Sequence, residues 1–171
     1  LHQGSLDLSG LTDLTDAAAE SLSKHQGGYL CLDGLTSLSA AAAESLSRHQ
    51  SEDRNDIEYD LLLNGLKCLS DSVAESLSRH TGGSSGHLGL SLNGLTSMSD
   101  AAAESLSKHE GDLSLDGLTN LSESAAESLS KRKFRLSLWG ITSLSDAAAE
   151  MLSKHQGDLY LGGLTSMSDA A

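Results

Sequence analysis

The sequence has 171 residues and a formal net charge of −13, with 17 glycines, no proline and only 3% aromatic residues, so turns fall to Gly, Asn and Asp. A chain this acidic argues against a general nucleic-acid binder, which needs a basic face. No apolar run approaches the roughly 18 residues needed to cross a membrane, so neither nucleic acid nor membrane insertion is expected.

The chain repeats itself from end to end. Residues 1–5 read as the tail of an earlier copy, because His2-Gln3-Gly4 matches His25-Gln26-Gly27. Strand leucines then open copies at Leu6, Leu30, Leu61, Leu90, Leu113, Leu136 and Leu159, at intervals of 24, 31, 29, 23, 23 and 23 residues. That makes six full copies and a truncated seventh within one domain, 1–171. The chain stops at Ala171, two residues into a helix pattern, with no polar cap at either end and no initiator Met. This is the pattern of a segment from a longer chain.

The cleanest copy, residues 90–112, reads LSLNGLTSMSDAAAESLSKHEGD. Leu90 and Leu92 alternate with Ser91 and Asn93, the period of a strand with one buried face. Gly94 admits a turn, and Leu95 and Met98 point back to the core. Ser99 is a helix N-cap, and Asp100 favours the positive end of the helix dipole. Met98 can staple onto Ala103. Ala102, Ala103 and Leu106 share one helical face, Glu104 and Lys108 form an i,i+4 pair, and Gly111 frees the chain for the next strand. Such a unit buries too little to stand alone, so copies must stack into a parallel sheet with helices on its other face.

Two helix-to-strand connections are enlarged. Residues 50–60 (QSEDRNDIEYD) form a polar insertion containing Ile57 and Tyr59, and residues 81–89 (TGGSSGHLG) are Gly/Ser-rich. Both leave the same turn in consecutive repeats, so they share one edge. Cys31 lies mid-strand and Cys68 lies past the corner of the next repeat, so two free thiols are expected.

The unit LxLxGLTxLSDAAAESLSKHxGD resembles a leucine-rich repeat, of the variant found in some bacterial repeat proteins. The resemblance covers essentially the whole chain. It implies an α/β solenoid, a right-handed superhelix with strands on the concave face and helices on the convex one, and a role in protein recognition. The sequence departs at the corner. The usual LxxLxLxxNxL places an inward Asn there, whereas this chain has Leu11, Leu35, Leu66, Leu95, Leu118, Ile141 and Leu164. The Asn ladder is therefore expected to be missing, with the hydroxyls of Thr12, Thr36, Thr96, Thr119, Thr142 and Thr165 in its place; the third repeat has Lys67.

Candidate chemistry is sparse. His25, His49, His80, His109 and His155 close the helices, and imidazoles in neighbouring repeats could converge on zinc. Their regular recurrence instead favours a helix-end role beside the last carbonyls. Asp33, Asn64, Asn93 and Asp116 recur on the outward strand face, where neighbouring strands could bridge calcium, but plain solvated polar residues are expected. The serines sit at caps and on helix surfaces with no nucleophile elbow, and no phosphate-cradling loop is present. No catalytic residue, metal or cofactor is assigned.

What stands out is irregular outward content. Arg135, Trp139 and Tyr160 break the polar pattern in the last two repeats, and Tyr29, Cys31 and Leu62 break it earlier. Lys131, Arg132 and Lys133 make the single basic cluster. A Trp and a Tyr beside an Arg match the composition of binding hot spots. The expected function is a non-catalytic scaffold that binds a protein or peptide. Its contact residues would come from Tyr29, Asp33, Tyr59, Asn64, Asn93, Asp116, Arg135, Trp139 and Tyr160, centred on Trp139. The alternative is a structural element that associates end to end. On this reading Leu115 is core and Ser114 is exposed.

Overall fold

A computed structural model describes residues 4–25, 27–49, 59–80 and 89–168. Most of the first five residues and nearly all of both insertions lie outside these, as does the side chain of Tyr59. Strands and helices alternate: β1 (Leu6–Asp7), α1 (Asp16–Leu22), β2 (Leu30–Cys31), α2 (Ala40–Leu46), β3 (Tyr59–Leu62), α3 (Asp71–Leu77), β4 (Gly89–Ser91) and α4 (Asp100–Leu106). Then come β5 (Leu113–Ser114), α5 (Glu123–Ser130), β6 (Leu136–Ser137), β7 (Ser143–Ser145), α6 (Asp146–Leu152), β8 (Leu159–Tyr160) and β9 (Ser166–Ser168). The result is a repeated β-α architecture of α/β class with a seven-stranded parallel sheet, in the order β1-β2-β3-β4-β5-β6-β8.

The register follows the repeat. Leu6, Leu30, Leu61, Leu90, Leu113, Leu136 and Leu159 stand side by side along the sheet. From Leu30 to Leu136 these leucines are fully buried, as are Leu32, Leu63, Leu92, Leu115 and Leu138 two residues on. The helices cover them with small side chains: Ala102, Ala103 and Leu106 are at 0% exposure, and Ala42, Ala43 and Leu46 do the same two turns of the solenoid earlier. Alanine lets adjacent helices approach closely, although helices pack about 8–10 Å apart, wider than the strand spacing of about 4.8 Å.

Each helix begins at a hydroxyl cap. Thr15, Ser39, Ser70, Ser99, Ser122 and Ser145 each accept a hydrogen bond from the backbone N–H three residues on. The same hydroxyls reach backwards one repeat. Ser39, Ser99 and Ser122 each donate to the first-turn carboxylate of the preceding helix, Asp16, Asp71 and Asp100, at 2.5 Å. Ser70 faces Ala40 in that role, and its hydroxyl meets Ser72 at 3.2 Å instead. All six helices carry the expected Glu/Lys or Glu/Arg i,i+4 pair. These pairs are solvent-exposed and add little each.

The turn glycine has a different reason from the one expected. A Cβ on Gly94 would lie 1.9 Å from the Asn64 carbonyl oxygen and 2.6 Å from that of Leu66. Close approach of the neighbouring repeat excludes a side chain there. A small second sheet was not expected: β7 and β9 pair in parallel, Leu144 opposite Met167, where the extended chain enters a helix cap. Cys31 and Cys68 are both free thiols, the first buried and the second exposed.

Candidate functional site

The outer face of the sheet is built from two columns per strand. One holds Asp7, Cys31, Leu62, Ser91, Ser114, Ser137 and Tyr160, in register. The other, two residues later, holds Ser9, Asp33, Asn64, Asn93, Asp116, Trp139 and Gly162.

The second column is a hydrogen-bonded ladder, which corrects the expectation of loosely solvated polar groups. Asp33 Oδ1 accepts the backbone N–H of Asn64 at 2.8 Å, and Asn64 Oδ1 accepts that of Asn93 at 2.8 Å. Asn93 Oδ1 accepts the N–H of Asp116 at 2.9 Å, and Asp116 Oδ1 accepts that of Trp139 at 3.0 Å. The serines of the first column dock on the same oxygens: Ser91 on Asn64, Ser114 on Asn93 and Ser137 on Asp116, at 2.6–2.7 Å. Ser91 and Ser114 are consequently buried, with Ser114 only 1% exposed. The exposed position expected for Ser114 is thus wrong. A ladder does exist, two residues before the place where the leucine-rich pattern puts its Asn. The threonines contribute at two steps, Thr119 and Thr165 donating to the carbonyls of Thr96 and Thr142 at 3.5 and 3.0 Å.

Trp139 ends this ladder. An indole has a donor and no acceptor, so it cannot pass the pattern on. Its ring lies over the next repeat instead, where a Cβ at position 162 would come within 2.2 Å of it. Gly162 makes room for the ring, and half of Trp139 (53%) stays in solvent. Tyr160 is 39% exposed on the neighbouring strand. The Arg135 guanidinium carbon sits 5.7 Å from the Tyr160 ring centroid, and Arg135 Nε is 3.6 Å from Asp112 Oδ2. With Asn93, Ser114, Asp116 and Ser137, these residues line an open groove of about 330 Å³.

The structure therefore brings five of the expected contact residues together: Asn93, Asp116, Arg135, Trp139 and Tyr160. Asp33 and Asn64 belong to the ladder further along the sheet. Tyr29 is half-buried beside β2, with three strands between it and β6. Ser114, Ser137 and Gly162 were not anticipated. The signal for Gly162 was in the sequence, as the one copy with glycine where others carry Asp, Asn, Ser or Trp.

Three of the helix-end histidines are buried, and His25 and His155 are half-buried. His49 and His80 are at 0% exposure and His109 at 2%. The His25 and His49 rings stack with centroids 5.8 Å apart, as do those of His80 and His109 at 5.9 Å, both within 6° of parallel. Burial pushes His49 down to about 4 and His109 to about 3, Arg132 adding to the latter, and burial also lowers His155. Among the described residues no three His, Cys, Asp or Glu side chains are gathered as a metal site would gather them. His80 is bonded to a buried acid, Nε2 donating to Asp60 Oδ1 at 2.8 Å.

Arg132 takes the histidine's place in the fifth repeat and is only 2% exposed. Its guanidinium donates to the carbonyls of Leu106 (2.7 Å), His109 (2.9 Å) and Gly111, and burial lowers its pKa to about 10. Lys131 is paired with Glu127. The expected basic cluster is therefore split between a buried anchor and the surface. No protein-family model and no curated protein matches the chain. Among the described residues, no helix is long and apolar enough to cross a membrane.

Proposed function

We propose that the chain is a non-catalytic scaffold that binds a protein or peptide on the outer face of its sheet, with the groove at Trp139 as the contact centre. The repeat itself reads as a variant leucine-rich repeat, in which that face is concave and presents successive strands to a ligand. One observation carries the proposal. Every central repeat places a ladder Asp or Asn at this column, whereas the sixth places an indole that is 53% exposed and lies over Gly162. The fold does not require a ring there, and a large aromatic surface in water is stabilised when a partner covers it.

The test is selection of peptides from a displayed random library on the wild-type chain, followed by counter-screening on Trp139→Ala. The ladder bond from the Trp139 N–H to Asp116 uses the backbone, so the variant keeps it. Selected binders should lose more than about 2 kcal/mol of affinity on the variant, with thermal unfolding nearly unchanged. Binders that hold both proteins equally would move the site off this groove.

A further inference from the structure

We infer that the segment seated in the Trp139 groove is basic, with an Arg or Lys side chain lying on the exposed indole beside Asp116. This rests on the binding reading above and adds the chemistry of the partner. The groove holds one formal cation and one formal anion, and they differ in how they are matched. Arg135 is held against the Asp112 carboxylate and over the Tyr160 ring. Asp116 is held by two neutral donors, the Trp139 backbone N–H at 3.0 Å and the hydroxyl of Ser137 at 2.6 Å, while the one proton of Ser114 goes to Asn93. Its charge is thus bonded but not neutralised.

Trp139 donates its backbone N–H to that carboxylate, and indole is the best aromatic partner for a cation. A guanidinium or ammonium over the ring gains the face of the indole and the field of Asp116 together. Asp158, exposed on the approach to β8, adds negative potential, with Lys133 the opposing exposed charge on that side. The whole chain, at −13, steers cations toward it. An acidic segment would have to displace Asp112 from Arg135 and then sit beside Asp116.

The experiment uses the fact that Trp139 is the single tryptophan of the chain. Its emission is followed while the 171-residue protein is titrated with an oligoarginine peptide, an oligoglutamate peptide and an uncharged Gly/Ser peptide. Oligoarginine should change the emission saturably, with affinity falling as salt rises, and the other two should not. Asp116→Asn separates the site from the overall charge. Asparagine already serves as the ladder acceptor at positions 64 and 93, so this variant should fold as wild type while weakening oligoarginine about tenfold. Asp13→Asn removes the same charge from an exposed corner far along the solenoid and should change affinity by less than about twofold.

Equal effects of the two substitutions, no response to oligoarginine, or an equal response to oligoglutamate would each overturn the proposal. The binding surface would survive that result if library peptides without basic residues still depend on Trp139. It would fall as well if no peptide of any charge does.

Discussion

The repeats opening at Leu30, Leu61 and Leu90 differ from those opening at Leu113 and Leu136 at two positions with opposite surroundings. In the first group the strand face ends in Asp33, Asn64 and Asn93, and the helix ends in His49, His80 and His109. In the second, the fifth repeat keeps Asp116 but replaces the histidine with Arg132, and the sixth keeps His155 but replaces the ladder residue with Trp139. Both replacements occur in registered columns, yet one is buried and the other is open to water. Arg132 does structurally what a histidine does not, bonding three carbonyls of the preceding repeat. Trp139 gives up the acceptor that its position normally supplies. A departure that gains bonds is explained by folding. A departure that loses them and exposes a ring is where a partner is to be sought.

Acid should distinguish the two groups most sharply. His49 and His109 titrate below the ordinary 6.5 when folded, at about 4 and about 3, so the folded chain binds fewer protons than the unfolded one. Their contribution is complete above 6.5 and is lost progressively as pH falls toward those values. The groups facing His49 are Asp60, His80 and His25, and those facing His109 are Arg132, His80 and Asp112; Asp60 and the backbone at His25, His80 and Asp112 oppose the loss, and burial outweighs them. Denaturant melts across a pH series should show stability falling below pH 6.5, and His49→Leu should flatten the curve. An unchanged slope in that variant would remove the histidine column from the account.

Core and ladder can then be compared in size. Leu115→Ala, at a fully buried site, should cost about 2–5 kcal/mol in a urea melt. Asn93→Ala should cost about 1–3 kcal/mol, because the Asp116 N–H loses its acceptor and the buried Ser114 hydroxyl loses the nearer of its two. Asn93→Asp should be close to neutral, since Asp33 and Asp116 already fill that role. If Asn93→Ala matches Asn93→Asp, the ladder contributes nothing and Trp139 no longer marks its end.

The smallest effect is a gain. Ala40→Asp would offer Ser70 the carboxylate that Asp16, Asp71 and Asp100 give the neighbouring caps, and would add an acid to the first turn of α2. We expect about 0.3–1 kcal/mol of stabilisation, read as a small rise in melting temperature. No rise would mean that the cap-to-carboxylate bonds seen elsewhere are incidental.

The elements that one unit can specify were legible in its residues. Period-two leucines, the Ser-Asp start and the Ala-Ala-x-x-Leu face gave strands, caps and helices in their places, because each depends on neighbours within a few positions. Contacts between units were not legible in the same way. Asp33, Asn64, Asn93 and Asp116 were singled out, but a single copy shows them only as outward and polar. The backbone N–H that each one satisfies belongs to the following repeat. The histidines looked like plain helix-end residues, yet neighbouring turns of the solenoid bury His49, His80 and His109. Trp139 was legible as an anomaly, whereas Gly162 acquires meaning only once the ring is seen above it.

The distance over which the bonds act has its own consequence. Thr96 to Thr119, Asn93 to Asp116 and Asp116 to Trp139 all join positions 23 residues apart, while Asp33 to Asn64 and Asn64 to Asn93 span 31 and 29. The rungs therefore ignore how much chain loops out between helix and strand, provided it returns at the same leucine. A length of gene encoding one unit could be lost or duplicated, and the flanking copies would rejoin with every rung made again. Removing a single residue within a strand or helix has no such remedy, since it shifts all of that copy's partners at once. Change in this molecule is thus quantised: whole copies and loop lengths can drift, while the interior of a copy is held letter by letter.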